Sequence, residues 1–389
     1  MIPISYNVRS LAVRKATTVA TALGIGLVVF VLASALMLAH GVQKTMGKSG
    51  QPENAIVMRK GSDSEMQSTI EDPLVGIILS ASGVAQDASG KPVGTAEVVS
   101  VATMDKFGTD GVSNVQFRGV RDDVMSFRPE VSIIEGRMLS PGTDEVIVGK
   151  QVRGRFRGLD IGQSVDLRKN RPVRVVGVFA ANGSSFESEV WGDLDTIRAG
   201  FGRMGNVSSV RVRLESPSKL DGFEAAVEQD KQLGLEVLRE DVYYEKQSEG
   251  TSVFITAMGM VIAVFFSIGA MIGAMITMYA AVAGRTREIG TLRALGFSRF
   301  AILASFLLEA SLLAVVGGVV GSLAALAMGA VKFSMMNFTS FSEITFSFTP
   351  TPEIVIGSVV FAILMGLLGG LFPAVRAARV SPVQAMRAG

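Results

Sequence analysis

The amino-acid sequence predicts a membrane α-helical fold with four transmembrane helices and a large α/β (α+β) extracytoplasmic domain between helices 1 and 2. Four stretches of the chain are almost free of charge and are long enough to cross a bilayer. The charged residues 41–250 separate the first stretch from the other three. Lysine and arginine cluster beside the apolar stretches, as they do on the cytoplasmic side of membrane proteins.

Each apolar stretch matches the roughly 20 residues that an α-helix needs to cross the hydrocarbon core of a bilayer. Residues 16–39, 250–284 and 354–375 carry no charge over 24, 35 and 22 residues, respectively. The remaining stretch, 300–331, contains one charged residue, Glu309. We therefore predict transmembrane helices at 17–39, 254–280, 303–330 and 354–375.

The distribution of lysine and arginine predicts the orientation of these helices. Three such residues lie near the N-terminus, four lie in the segment 285–300, and three lie in the C-terminal tail 376–389, whereas the connection 332–353 holds only Lys332. We therefore predict a multi-pass protein of the cell inner (cytoplasmic) membrane, with both termini and the segment 285–300 in the cytoplasm and residues 41–250 in the periplasm. We expect the N-terminal residues 1–16 to form a cytoplasmic amphipathic segment.

A cleaved signal peptide is the alternative for the first apolar stretch, because arginine and lysine precede it. The apolar region of a signal peptide is usually about 7–15 residues long. The uncharged stretch here has 24 residues, and this length favours a membrane anchor.

The extracytoplasmic residues mix helix and strand patterns. Residues 41–250 hold 26 Lys and Arg against 31 Asp and Glu, whereas the rest of the chain holds 11 against 4. The segment 205–214 shows the partial alternation of a strand, and 218–234 has the apolar period of an amphipathic helix. Short apolar runs broken by Gly, Asn and Pro are typical of strands. We predict an α/β core with a β-rich insertion at about 116–202, and Trp191 packed inside that β-rich part.

Residues that enzymes commonly use for catalysis and metal binding are scarce. The chain has no cysteine and a single histidine, His40. Gly47-Lys48-Ser49 resembles part of a Walker A loop, but five residues instead of four separate Gly41 from Gly47. The arginine-rich segment 153–159 lies in a net negative domain, which favours a solvated face over a nucleic-acid site. We therefore expect no catalytic residue, no cofactor or metal bound by this chain, and no nucleic-acid partner.

Two features inside the apolar stretches predict contacts between helices. Glu309 is an ionisable residue within a predicted span, and such residues usually face protein or water. We interpret it as a polar contact between helices or a protonated carboxyl group, with a proton relay or gate as the functional alternative. Small residues four positions apart allow helices to approach closely in lipid. Such pairs occur at Gly269 and Gly273, Gly317 and Gly321, and Gly366 and Gly370.

Four motifs carry a resemblance to a known family. They are RTREIGTLRALGFSR at 285–299, LLEASLLAVVGGVVGSLAA in the third span, FPAVRAARVSPVQAMR at 372–387, and NVRSLAVRKATTVATALGIGLVV at the first span. Together with the order of spans, these motifs resemble the permeases of the MacB/FtsX superfamily of ABC transporters, also called type VII. The resemblance covers nearly the whole chain. The MacB efflux protein also has an N-terminal ATPase domain, which this sequence lacks, so we expect the ATPase to be a separate protein.

The resemblance implies the partners of the chain. A cytoplasmic ABC ATPase dimer binds ATP and Mg²⁺, and a second permease chain completes a homo- or heterodimer. A periplasmic adaptor (membrane-fusion) protein is a further candidate partner. The segment 285–300 is implied to form a cytoplasmic coupling helix that contacts the ATPase. The contacting residues are expected to be Arg287, Glu288, Ile289, Gly290, Leu292, Arg293, Ala294, Leu295 and Gly296.

The resemblance also implies a function without catalytic residues in this chain. The permease would convert ATP hydrolysis by the separate ATPase into motion of its periplasmic domain, which is called mechanotransmission. That motion would drive efflux of a periplasmic substrate or release of a lipoprotein. The alternative is a transmembrane signalling protein that activates a periplasmic partner, such as a cell-wall hydrolase. A membrane enzyme with its active site in 41–250 is a third hypothesis, and no constellation of residues supports it.

Overall fold

The computed structural model describes residues 9, 11, 13–167, 171–229 and 233–382. Most of the predicted amphipathic segment 1–16 and residues 383–389 of the predicted tail therefore lie outside the described residues. The chain divides into two compact units. A membrane unit comprises Met1–Gly41, Val253–Val331 and Ser347–Gly389, and an extracytoplasmic unit comprises Val42–Ser252 and Lys332–Phe346.

Four helices of the described chain are long and apolar enough to cross a membrane. With helices numbered in chain order, they are α1 (Lys15–Gly47), α6 (Glu240–Gly284), α8 (Arg299–Ala327) and α9 (Pro352–Ala378). The predicted fold class, with four such helices and an α/β domain between the first and the second, is confirmed.

The helices α1 and α6 are longer than the spans predicted from charge alone. Helix α6 runs for 45 residues, and the boundary between the two units falls inside it, at Ser252. Charge-free length detects only the part of a helix that lies in lipid, whereas backbone hydrogen bonding continues through polar residues. Helix α9 begins with an N-cap, because Thr351 Oγ1 accepts a hydrogen bond from the Ile354 amide at 3.3 Å.

The extracytoplasmic unit is built on a sheet of ten strands, in the order β12-β1-β11-β3-β4-β9-β6-β8-β5 with β7 paired to β8. The strands are β1 (Asn54–Arg59), β3 (Gly94–Asp105), β4 (Val112–Val120), β5 (Ser132–Gly136), β6 (Glu145–Gly149), β7 (Ser164–Asp166), β8 (Pro172–Ala180), β9 (Glu189–Asp193), β11 (Ser209–Arg213) and β12 (Leu235–Arg239). A separate pair joins β2 (Ile70–Glu71) to β10 (Asn206–Val207). Short helices α2 (Asp72–Leu79), α3 (Val124–Phe127), α4 (Leu194–Phe201) and α5 (Leu220–Glu228) complete the unit.

The long strand β3 joins the predicted α/β core to the predicted β-rich insertion. The first residues of β3 pair with β11, and its remaining residues, from Val98 to Asp105, pair with β4. The strands within 116–202 therefore extend the sheet of the α/β part. Apolar residues from both parts, including Phe117 and Val210, form one core cluster. Trp191 is fully buried, and its Nε1 donates to Glu189 at 2.8 Å.

The connection between α8 and α9 forms a β-hairpin. Its strands are β13 (Lys332–Met336) and β14 (Glu343–Ser347), which pair with each other. The residues Lys332–Phe346 group with the extracytoplasmic unit, although the helices on both sides belong to the membrane unit. Nothing in the sequence pattern of 332–353 predicts this association.

Candidate coupling site

The basic segment that follows α6 folds into a short helix, α7 (Thr286–Ala294). Glu288 lies in its first turn and Arg293 in its last turn, and both charges suit the helix dipole. Gly296 ends the helix with a φ of +97°, a backbone conformation that favours glycine. The Gly296 amide donates to Arg293 O and the Phe297 amide to Leu292 O, both at 3.2 Å, which is the Schellman pattern.

Helix α7 packs through one face on the long helices of the membrane unit. Ile289 is 2% exposed and belongs to a cluster of buried apolar residues from several helices. Met278 and Val282 come from the end of α6, and Ala374 and Ala377 come from the end of α9. Helix α8 contributes Ile302, Phe306 and Ala310. A displacement of α7 must therefore disturb three long helices at once, because close-packed side chains transmit strain.

An ion pair also ties the start of α7 to α8. Arg285 Nη1 donates to Glu309 Oε2 at 3.0 Å, and the residues are 9% and 3% exposed. Arg285 Nε also donates to Glu288 at 3.3 Å, and its guanidinium lies 5.7 Å from the centre of the Phe306 ring. Glu309 thus makes a polar contact within the helix bundle. The sequence patterns do not identify Arg285 as the partner of Glu309.

The opposite face of α7 is open. Arg287, Glu288, Thr291 and Ala294 are exposed, and Leu295 is 73% exposed. The helical spacing suggests that Leu295 shares the buried face of Ile289, but the structure differs. The helix ends at Ala294, so Leu295 leaves the helical path and projects from the end of the segment.

The predicted contact residues therefore fall into two groups. Ile289 and Gly290 lie on the buried face of α7, and Leu292 and Arg293 are half-buried. The exposed group consists of Arg287, Glu288, Ala294, Leu295 and Gly296. The second group is therefore the more accessible of the two to another protein.

The predicted glycine pairs differ in what surrounds them. At Gly317, Gly321, Gly366 and Gly370, a Cβ atom would lie 2.3–2.7 Å from atoms of another helix. At Gly269 and Gly273, it would meet no described atom within 4 Å. The first four glycines allow close helix contacts within the chain. The other two line an open apolar groove beside α1.

A buried cluster of charges lies in the extracytoplasmic unit. Arg118 and Arg211 each pair with both Glu65 and Glu97, at distances of 2.7–3.1 Å. Arg118 also pairs with Glu189 at 2.7 Å. Burial raises the pKa of Glu97, but the charges of Arg128, Arg211 and Arg118 outweigh it and lower the pKa to about 2. Glu97 is therefore held ionised, unlike a general acid or base that must change its protonation state near neutral pH.

The charge cluster includes the first residue of the long helix α6. Glu240 is fully buried, and it accepts hydrogen bonds from Arg211 Nε at 2.8 Å and from Asn54 Nδ2 at 2.9 Å. Arg128 pairs with it at 3.3 Å, and Arg211 Nη2 donates to the Tyr244 hydroxyl at 3.2 Å. Paired charges thus anchor the start of α6 in the sheet. The sequence gives one indication of this cluster: arginines alternate with apolar residues in the strand segments.

Within the described residues, no group of three or more His, Cys, Asp or Glu side chains is arranged to hold a metal ion. The acidic side chains of the buried cluster face arginines, as their ion pairs show.

Comparison with known proteins gives matches along most of the chain. The profile of the MacB-like periplasmic core domain matches residues 18–230, and the profile of the FtsX-like permease C-terminal region matches residues 260–382. The ABC transporter permease YknZ of Bacillus subtilis is 30% identical over 226 residues, which cover 56% of this chain and 54% of YknZ. The macrolide export ATP-binding/permease protein MacB of Nitrosomonas europaea is 33% identical over 269 residues, which cover 65% of this chain and 38% of that protein.

The chain spans about half of the length of the first relative and less of the second. A crystal structure of the extracellular domain of the ABC-type transporter YknZ aligns with 48% of this chain at 17% identity and a TM-score of 0.36. The first profile alone covers more than half of the chain, and the second covers α7, α8 and α9. The chain belongs to the MacB/FtsX family of ABC transporter permeases.

Proposed function

We propose that this chain is a permease subunit that converts ATP hydrolysis by a separate ABC ATPase into motion of its extracytoplasmic unit. The observation that carries the proposal is the two-sided helix α7. Its buried face holds Ile289 among the long helices, and its other face presents Ala294 and Leu295 to solvent. A helix of this kind can fill a groove of a partner and pass the displacement on to its own bundle.

The route from α7 to the extracytoplasmic unit follows α6. This helix ends at Gly284, one residue before Arg285, and begins at Glu240 inside the buried charge cluster. A continuous helix transmits an axial push or a rotation, because its hydrogen bonds join every turn to the next. Physically, the assembly is a two-state machine in which ATP binds one state better than the other.

The partners in this proposal are a cytoplasmic ABC ATPase dimer, which binds ATP and Mg²⁺, and a second permease chain, identical or homologous. The membrane is the cell inner membrane, with both termini in the cytoplasm. The extracytoplasmic unit then lies in the periplasm, where an adaptor protein is a further candidate partner. The distribution of lysine and arginine supports this orientation.

The proposed work is efflux of a periplasmic substrate. Relatives named for macrolide export and for pyoverdine export favour efflux over lipoprotein release. Signalling to a periplasmic partner, such as a cell-wall hydrolase, would use the same motion and is the second candidate function.

The test is a new carboxylate on the exposed side of α7. Leu295→Asp and Ala294→Glu each place a charge on the surface proposed to contact the ATPase, and they leave the buried Ile289 unchanged. Leu295→Met is the matched control, because it keeps an apolar side chain at the same site. Binding is measured by co-purification with the partner ATPase, and function by the ATPase rate in nanodiscs.

We expect the two acidic variants to insert and assemble normally but to lose ATPase binding and stimulated hydrolysis, whereas Leu295→Met keeps both. Wild-type coupling in both acidic variants would overturn the assignment of α7 as the coupling helix. The segment would then be an interfacial helix that only fixes topology.

A further inference from the structure

The β-hairpin between α8 and α9 is the starting point. Its residues Lys332–Phe346 group with the extracytoplasmic unit, whereas the chain on either side runs directly into membrane helices. Only five residues, 347–351, lie between Phe346 and the first residue of α9 at Pro352. The hairpin is therefore a further covalent connection between the long helices and the extracytoplasmic unit, in addition to α1 and α6.

A buried carboxylate fastens the hairpin to that unit. The side chain of Glu343 on β14 is only 4% exposed. Its Oε2 accepts from Lys106 Nζ at 2.8 Å, and its Oε1 is paired with the Arg155 guanidinium. The Arg155 guanidinium also donates to the hydroxyl of Thr345, two residues further along the same strand. Both cations belong to the sheet domain, so the hairpin supplies the anion and the domain supplies the positive charge.

Hydrogen bonds extend the attachment along the hairpin. The Thr345 amide donates to Ser188 Oγ at 3.1 Å, next to the start of β9. Asn114 Nδ2 on β4 donates to Phe341 O at 2.9 Å. Lys332 Nζ donates to Gln151 Oε1 at 3.0 Å at the other end of the hairpin. The contacts thus reach β4 and the approach to β9, two strands in the middle of the sheet.

A simple connecting loop does not need this arrangement. Burial of a carboxylate is unfavourable unless the group is paired and hydrogen-bonded. Burial raises the pKa of Glu343, but hydrogen bonds from Lys106 and Ser113 and the charge of Arg155 outweigh it and lower the pKa overall. The carboxylate therefore stays ionised and strongly favours the attached position of the hairpin, because detachment would break two ion pairs.

We propose that this hairpin is a second transmission link, with Glu343 as its positioning residue, which passes movement of α8 and α9 directly to β4 and β9. The inference rests on the proposed coupling function and adds a route to it. Helix α6 contacts the sheet at Glu240, beside β1 and β11. The hairpin instead contacts β4 and the residue before β9. An attachment point separate from Glu240 lets movement of α8 and α9 reach the extracytoplasmic unit without passing through α6.

The test compares Glu343→Gln with Glu353→Gln in the full permease–ATPase complex in nanodiscs. Glu353 is the matched control, because it lies in the same connection but is exposed in the first turn of α9. Amide hydrogen exchange is measured without nucleotide and with ATP plus vanadate. Lys106→Met is a second variant that weakens the same contact from the domain side, in case Glu343→Gln does not assemble.

We expect Glu343→Gln to make the Thr345 amide exchange about tenfold faster, the effect of losing a charged hydrogen bond. The ATP-dependent change in exchange should then disappear from β4 and β9 but persist near Glu240. Lys106→Met should act in the same direction, and Glu353→Gln should match the wild type. Unchanged protection of Thr345 in Glu343→Gln, or a released hairpin with the full ATP response in β4 and β9, would overturn the proposal.

The same data separate this proposal from the coupling function itself. If the wild type shows no ATP-dependent change in the extracytoplasmic unit, including near Glu240, the coupling function fails, and the hairpin link fails with it. If the response near Glu240 is present but β4 and β9 do not respond in the wild type, only the hairpin link fails.

Discussion

Arg285 and Glu309 form a buried ion pair that joins the start of α7 to α8, with Nη1 and Oε2 3.0 Å apart. The residues are 24 positions apart in the chain. Arg285 directly precedes α7, so the pair fixes the point from which this helix departs. Movement of α7 is therefore linked to α8 by charge as well as by apolar packing.

Loss of one partner of this pair should be more damaging than loss of both. Glu309→Leu leaves the Arg285 cation with less compensation, and breaking a buried pair typically costs about 3–5 kcal/mol. The double variant Arg285→Met/Glu309→Leu should recover most of that loss, because apolar residues can replace a buried pair. Glu288→Gln is the control: its side chain is 60% exposed, and loss of an exposed pair costs about 1 kcal/mol or less. Thermal unfolding in detergent measures the differences, and purely additive effects would contradict this role of the pair.

The orientation of the chain can be tested with single cysteines, because the sequence contains none. Ala88→Cys lies in an exposed loop of the extracytoplasmic unit, and Met336→Cys lies on the hairpin. We expect a membrane-impermeant maleimide to label both in intact spheroplasts. Ala294→Cys should be labelled only after permeabilisation. Labelling of residue 294 from outside would contradict the predicted topology.

The extracytoplasmic unit should fold as an isolated domain. Residues 42–252 form one core without a membrane-length apolar segment. A fragment that also carries residues 332–346 through a flexible linker should be more stable by about 1–3 kcal/mol, because Lys106 and Arg155 regain their buried anion. Circular dichroism tests folding and urea titration measures the difference. An unfolded 42–252 fragment would argue against an independent domain, and equal stability of the two fragments would argue against a stabilising hairpin.

Acid should destabilise this unit through its buried carboxylates. The pKa of Glu97 falls from 4.5 to about 2 in the folded state. A lowered pKa means that the stabilisation is complete above the unfolded value and is lost as the pH falls from about 4.5 towards 2. The shift of Glu97 corresponds to roughly 3 kcal/mol. Urea unfolding of the domain at a series of pH values measures it.

Glu97→Gln should lower stability at pH 7, because Arg118, Arg128 and Arg211 lose a shared anion. The same substitution should flatten the pH dependence between about 4.5 and 2. Glu224→Gln on α5 is the control, since that residue is exposed. An unchanged acid transition in Glu97→Gln would show that the cluster does not control acid unfolding.

The sequence by itself determined the features that depend on local composition and short periods. Long uncharged stretches specify membrane helices, because each uncompensated charge in lipid is costly wherever it lies in the fold. The positions of α5 and β11 follow from patterns over a few residues, and Thr351 and Gly296 mark helix ends by local hydrogen bonding. The family resemblance of the segment 285–299 also needs only the sequence.

Only the tertiary structure decided which distant charges meet. The sequence shows Arg285, Glu309 and Glu343 but not their partners, because pairing depends on how helices and strands pack across long separations in the chain. Arginines in β4 and β11 look like solvent-facing residues of half-buried strands, yet Arg118 and Arg211 are buried with glutamates from other elements. In the sequence, the connection 332–346 resembles a simple loop. In the structure, its Glu343 forms ion pairs with Lys106 and Arg155. Burial of a charge is tolerated only where a partner compensates it, and the partner is placed by the fold and not by the neighbouring sequence.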